Sequence, residues 1–268
     1  MTNTAPTPKP LAGWRVLVPR GGPWGDSVAA DLRSKGASPV VAAMINFAPT
    51  ADAPALEAAL ARLANGEFDW MTVTSATTVD VLSAQRAVVP QTTRVAAVGE
   101  TTAAALAAAG YHVDLVPSED NSARGLLDEW EAATQGAFPL RILTLRSEIA
   151  KPLLTEGLRR IGHDVESVVA YRTVGVPVPE SVVTDVRDGL FQAILITSGS
   201  VAEQVQEQLG PVPESTLIAA IGPQTARDAR AFGLRVDVIA AERTAASLID
   251  VVVQVAVARS AEAEDEDY

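Results

Sequence analysis

The chain has 268 residues, 48% hydrophobic and 20% charged, a balance that excludes wholesale disorder and suits one large domain or two small ones. Its 21 Lys and Arg against 33 Asp and Glu give a formal charge of −12 without a basic cluster, which argues against binding nucleic acid through its phosphates. With no cysteine, and only His112 and His163 far apart in sequence, disulfides, thiolate catalysis and Cys- or His-rich metal sites are excluded.

Residues 1–13 (MTNTAPTPKPLAG) are polar and proline-rich and read as a disordered tail without the apolar core of a secretion signal. No run of about 18 apolar residues is present to span a bilayer, so no membrane partner is expected and the expected address is cytoplasmic. Residues 15–19 (RVLVP) form an apolar, β-branched strand. A Gly- and Pro-rich turn follows, then a helix capped by Asp26 or Ser27, with Val28 and Leu32 on one face and Gly36 as its stop. The same strand-then-helix pattern recurs at 70–73, 95–98, 141–145, 194–196 and 217–221. Such alternation predicts parallel sheets covered by helices on both faces. Residues 39–47 (PVVAAMINF) and 165–174 (VESVVAYRTV) are longer extended apolar stretches, suited to two connecting strands side by side. Residues 246–257 predict a valine-rich helix packed on its own sheet, and the acidic end from residue 258 reads as a second disordered tail.

The chain also repeats itself. Residues 95–114 align without gaps to 218–237, an offset of 123, with nine of twenty positions identical. Four of these are alanines in an alanine-rich chain; the other five include Gly99/Gly222 and Thr102/Thr225. At the same offset Thr74-Ser75 falls on Thr197-Ser198, and at 126 the strand ending in Arg20 falls on the one ending in Arg146. Two copies of one unit of roughly 125 residues follow, folded either one after the other or with the chain crossing over and back.

In parallel α/β sheets ligands bind beyond the carboxyl ends of the strands, where these repeated motifs belong. Thr74, Ser75, Thr197 and Ser198 end strands and enter helices, where simple capping is the plain alternative to binding. Gly99 and Gly222 mark the other two strand–helix junctions, with Thr102 and Thr225 in the first helical turn. Free N–H groups and a positive dipole end make each helix start attractive to carboxylates and phosphates. Four such starts around one cleft are expected to form an anion cradle made largely of backbone, which lets an acidic protein hold an acidic ligand. Arg20 and Arg146, ending equivalent strands, are the arginines expected there, and Tyr171 offers one phenol donor. His163, after Gly162, reads as a solvated loop residue. No G-x-G-x-x-G fingerprint, P-loop, Ser–His–Asp set or carboxylate pair is visible, so dinucleotide and flavin readings have only the fold class behind them. An enzyme of this composition would position a reactive substrate instead of supplying a strong nucleophile.

Taken in order, residues 15–20 (RVLVPR), 73–76 (VTSA), 97–102 (AVGETT), 170–173 (AYRT), 196–199 (ITSG) and 220–225 (AIGPQT) resemble the uroporphyrinogen-III synthase family over about residues 14–255. The resemblance implies two flavodoxin-like α/β domains, 14–38 with 177–257 and 48–164, joined by a two-stranded connector of 39–47 and 165–176. It implies a lyase of tetrapyrrole (heme, siroheme or cobalamin) biosynthesis that needs no cofactor and no metal; a monomer is expected separately, because no surface apolar stripe demands a partner. Its substrate would be hydroxymethylbilane, a linear tetrapyrrole with eight carboxylates, cyclised with loss of water and inversion of ring D through an azafulvene cation and a spiro intermediate. On this resemblance Tyr171 assists hydroxide departure, and Ser75, Thr102, Ser198 and Thr225 are cleft hydroxyls. The alternative is a regulatory module that senses a tetrapyrrole or another anion on the same fold without turnover.

Overall fold

The computed structural model describes residues 9–266, with side chains as far as Glu262. In chain order the first elements are β1 (Arg15–Val18), α1 (Gly22–Ser34), β2 (Ser38–Val41) and β3 (Ile45–Pro49). Next come α2 (Ala53–Ala64), β4 (Trp70–Val73), α3 (Ala76–Ala84), β5 (Arg94–Ala97), α4 (Glu100–Ala108) and α5 (Ala123–Thr134). The central strands β6 (Arg141–Ser147) and β7 (Asp164–Gly175) flank α6 (Leu153–Ile161). The chain finishes with α7 (Glu180–Arg187), β8 (Ala193–Ile196), α8 (Gly199–Leu209), β9 (Leu217–Ala220), α9 (Pro223–Ala231), β10 (Val238–Ile239) and α10 (Ala245–Glu266).

Two compact units result, residues 1–46 with 175–268 and residues 47–174. The first unit's sheet runs β10-β9-β8-β1-β2, and the second's runs β3-β7-β6-β4-β5. Within the first unit this is the doubly wound order 2-1-3-4-5, with a switch point between β1 and β8. Both sheets are buried on two faces because their strands alternate with period two. Val16, Val18, Ala193 and Leu195 face one core beneath α1 and α10, while Leu17, Ile194, Ile196 and Ile218 face another beneath α8 and α9. In the second unit Trp70, Ala96 and Ile142 pack with α5 and α6, while Met71, Val73, Leu143 and Leu145 pack with α2, α3 and α4.

Hydrogen bonds recur at the offset seen in the sequence. Asp114 Oδ2 accepts the Val95 N–H at 2.8 Å, and 123 residues later Asp237 Oδ2 accepts the Ile218 N–H at 2.7 Å. Thr93 Oγ1 donates to the Phe68 carbonyl at 2.6 Å, and Thr216 Oγ1 donates to that of Phe191 at 2.8 Å. Asp69 Oδ2 accepts the Arg141 N–H, and Gln192 Oε1 the Arg15 N–H. Each bond lies at or next to the amino end of a strand.

Several expectations are corrected. Helix α1 starts at Gly22 behind Gly21, ahead of the expected cap at Asp26 or Ser27, because Pro23 in the first turn needs no N–H partner. Residues 39–47 are not one connecting strand: β2 pairs in parallel with β1, from Arg15↔Ser38 to Val18↔Val41, and a break precedes β3 beside β7. Strand β7 is itself a parallel neighbour of β6. Of the expected N-terminal tail, residues 1–8 lie outside the described residues, but Leu11 is fully buried and its N–H donates to the Lys35 carbonyl at 3.0 Å. The expected C-terminal tail is helical to Glu266. Arg259 lies over the Trp14 ring and Ser260 Oγ donates to the Ala256 carbonyl, so α10 keeps contacts past Val257. Burying Leu248, Ile249 and Val252 on that helix contributes about 1.5–3 kcal/mol per side chain. Among the described residues no helix is long and apolar enough to cross a membrane.

Candidate functional site

In each unit the residues singled out in the sequence leave the sheet at the carboxyl ends of adjacent strands. Val73 of β4 pairs with Ala97 of β5 on one side and Leu145 of β6 on the other. Thr74-Ser75, Gly99 and Arg146 therefore emerge side by side. In the first unit Ile196 of β8 pairs with Ala220 of β9, which places Thr197-Ser198 beside Gly222. Strand β1 pairs with β8 through Leu17↔Ile194, so Arg20 emerges on the other side of Thr197-Ser198.

Serines cap two of the helix starts. Ser75 Oγ accepts the Thr78 N–H at 3.3 Å to begin α3, and Ser198 Oγ accepts the Val201 N–H at 3.3 Å to begin α8. The other two start on glycine without a side-chain cap. The repeated glycines differ in cause. Gly99 has φ +96° and ψ 157°, a region nearly closed to other residues. Gly222 has φ −179°, open to any residue, but a Cβ there would stand 3.1 Å from Arg243 Cγ. Thr102 is buried in the first turn of α4, which also carries Glu100.

Tyr171 lies near the carboxyl end of β7, within reach of Ser75. Along β7 Val169 pairs with Arg146 and Tyr171 with Ser147, so Ala170 is an extra residue, a bulge. The bulge turns Ala170 and Tyr171, though consecutive, toward the same core face. Tyr171 stacks edge-on against Phe47 with ring centroids 5.4 Å apart, and its phenol oxygen lies 3.0 Å from Ser75 Oγ. An apolar cavity of about 330 Å³ opens beside the ring, bordered by Phe47, Pro49, Leu56, Thr77 and Ala170.

The two expected arginines are engaged within their own units. Arg146 donates from Nε to Ser167 Oγ at 3.0 Å, and from Nη1 to the Ser147 and Glu148 carbonyls at 2.9 and 3.1 Å. Arg20 lies over the Trp24 ring, 5.1 Å from its centroid. The sequence reading missed Arg243, which borders a cavity of about 330 Å³ with Thr197, Ile221, Gly222, Gln224 and Thr225. Its only sequence signal is a lone arginine in a short polar stretch before the last helix. His163 is a correction: it is 7% exposed, not solvated, because the Trp130 indole donates to its Nε2 at 2.9 Å and Phe138 covers it. Among the described residues no group of three or more His, Cys, Asp or Glu is placed to hold a metal.

Comparisons with known proteins point to one family. A family model described as uroporphyrinogen-III synthase HemD matches residues 26–250. The uroporphyrinogen-III synthase of Synechococcus elongatus is 28% identical over 257 residues, covering 90% of this chain and 95% of the relative. A mutant uroporphyrinogen III synthase from the extreme thermophile Thermus thermophilus has the same fold, with a TM-score of 0.62 at 19% identity over 92% of this chain and 99% of that one. The uroporphyrinogen-III synthetase of Helicobacter pylori matches with a TM-score of 0.63 at 16% identity, over 90% and 99%.

Proposed function

The chain belongs to the uroporphyrinogen-III synthase family, and from that premise we propose that it closes hydroxymethylbilane to uroporphyrinogen III by using helix starts for carboxylates and Tyr171 for the leaving hydroxyl. The family's reaction is a cyclising dehydration, so the protein acts as a lyase in tetrapyrrole synthesis. The alternative of a non-catalytic sensing module finds no support in the three relatives above, each named as a synthase or synthetase.

The observation that carries the reading is the Tyr171–Ser75 hydrogen bond at the rim of an apolar cavity. It lies at the carboxyl ends of β4 and β6, adjacent strands whose following helices pack on opposite faces of the sheet. A pyrrole ring has an apolar face suited to that cavity, while its acetate and propionate arms need N–H and O–H donors. Thr74, Thr102 and the first amides of α3 and α4 supply such donors in one unit, and Ser198, Thr197, Gly222 and Thr225 in the other. As hydroxide leaves the substrate's hydroxymethyl carbon, the Tyr171 phenol donates a hydrogen bond to it, and Ser75 orients that phenol. The pyrrole nitrogen lone pair drives the departure, giving an azafulvene cation. Ring D then attacks the azafulvene carbon through its substituted α-carbon to give the spiro intermediate. The bond from that α-carbon to its original methylene bridge breaks, and the other α-carbon bonds to the freed bridge and loses its proton, which leaves with the hydroxide as water. Net, one C–C bond forms and one water is released.

Backbone donors suit this task because they are already oriented and need no reorganisation as charge develops. The same reading takes the protein as a monomer, since the apolar faces of each unit are covered by its own helices. A cytoplasmic address belongs to it as well. The deciding experiment is chromatographic separation of isomers I and III after incubation with hydroxymethylbilane. Isomer III in excess over the spontaneous isomer I supports the reading, and isomer I alone sinks it. Gel filtration and cell fractionation test the monomer and the address.

A further inference from the structure

Arg243 stands at an uncapped helix start in the first unit, and its surroundings prepare it for an anion. Its side chain lies across the backbone of Gly222: a Cβ built there would be 3.1 Å from Arg243 Cγ and 3.6 Å from Nε. The loop that carries it is tied down on both sides. The Glu242 N–H donates to Ser247 Oγ at 3.0 Å, and the Ser247 N–H donates to Thr244 Oγ1 at 3.1 Å. Among the described residues the guanidinium itself makes no hydrogen bond or ion pair.

Two further features border the same cavity. Thr197 Oγ1 is enclosed and has no hydrogen-bond partner, a costly condition for a hydroxyl unless a ligand relieves it. At the start of α9 there is no side-chain cap and Pro223 has no N–H, so the Gln224 and Thr225 amides are left without a side-chain acceptor. The neighbouring start of α8 is less receptive. Asp228 Oδ2 lies 3.2 Å from where a Gly199 Cβ would be, placing a carboxylate against the first residue of α8.

We propose that Arg243 is a specificity-determining residue that binds one carboxylate arm of the substrate, together with the Thr197 hydroxyl and the first amides of α9. This rests on the reading of the chain as a hydroxymethylbilane cyclase and assigns one anchoring point within it. A planar guanidinium matches a carboxylate with two parallel hydrogen bonds, and the rigid loop lowers the cost of ordering it. The anchoring acts equally on substrate and transition state, so it belongs to KM and not to kcat.

The test compares wild type with Arg243→Ala and Arg243→Lys. Arg243→Ala is expected to raise KM for hydroxymethylbilane about tenfold, at the lower end of what a charged hydrogen bond contributes, with kcat and isomer III retained. Arg243→Lys should recover part of the loss. A KM unchanged in Arg243→Ala overturns the proposal, as does a fall in kcat alone. Uroporphyrin, an octacarboxylate that needs no turnover, serves as a second probe through its effect on thermal unfolding. Its stabilisation of the wild type should shrink in Arg243→Ala, and equal stabilisation of both proteins overturns the proposal. A wild type that forms no isomer III, yet needs Arg243 for stabilisation by uroporphyrin, sinks the assigned reaction and leaves the anion site standing.

Discussion

Ser75 Oγ and the Tyr171 phenol oxygen lie 3.0 Å apart although 96 residues separate them. The same serine oxygen also accepts an N–H of the first turn of α3, from Thr78. One small hydroxyl therefore starts a helix and aims a phenol. Tyr171 is held from the other side by Phe47, so the ring itself has little freedom.

Tyr171→Phe keeps that ring and its packing but removes the donor. The rate of isomer III formation should fall by up to about a hundredfold, the lower end of what a positioned proton donor contributes. The unfolding temperature should change little. An unaltered rate, measured by quenched-flow separation of the isomers, would remove Tyr171 from the chemistry.

Ser75→Ala removes the cap and the phenol's partner together. Stability should drop by about 1 kcal/mol, the usual cost of losing a serine cap, and the rate by a few fold because amides share the carboxylate. In a double-mutant cycle with Tyr171→Phe, the rate effects should be less than additive. Full additivity would mean that Ser75 does not orient the phenol.

Gly99→Ala and Gly222→Ala should part company despite equivalent places in the repeat. At Gly99 the positive φ makes an alanine strained, costing about 1–3 kcal/mol in denaturant unfolding. At Gly222 the backbone accepts alanine and stability should stay within about 0.5 kcal/mol, while the displaced Arg243 raises KM. Equal destabilisation at both positions would contradict the backbone angles.

Thr72 and Thr144 face each other across β4 and β6, both fully buried, and their hydroxyls have no hydrogen-bond partner among the described residues. Replacing both with valine removes two orphaned hydroxyls at nearly constant shape, and should raise stability by about 1 kcal/mol or more. Loss of stability in the double variant would show that these hydroxyls are bonded.

Burial pushes the His163 imidazole below its ordinary 6.5. Trp130 Nε1–H donates to Nε2 at 2.9 Å, so a proton placed on that nitrogen would break this bond and set a donor against a donor. The unfolded chain then takes up a proton near pH 6.5 that the folded one refuses until lower pH. Stability is greatest above that value and declines as pH falls toward the depressed folded value. Melting temperatures between about pH 7 and 5 should slope down in wild type, and the slope should be shallower in His163→Gln. That variant should also lose about 1 kcal/mol at neutral pH with the Trp130 bond.

The sequence by itself determined what short-range physics controls. Apolar runs such as 15–18 and 193–196 are strands because β-branched residues buried on both faces suit little else. Ser75 and Ser198 start helices because they satisfy a free N–H three residues on, and the matching segments at offset 123 place equivalent motifs at equivalent strand ends. Only the tertiary structure decided what depends on residues far apart in the chain. It put an extra residue into β7 so that Tyr171 shares a face with Ala170, gave residues 38–41 and 45–49 to different sheets, and carried α10 past Val257. It buried His163 under Trp130, held Arg146 to Ser167, and brought Arg243 over Gly222. A bulge or a distant contact leaves no trace in local apolar pattern, because its energy comes from a partner strand or loop that the local sequence does not name.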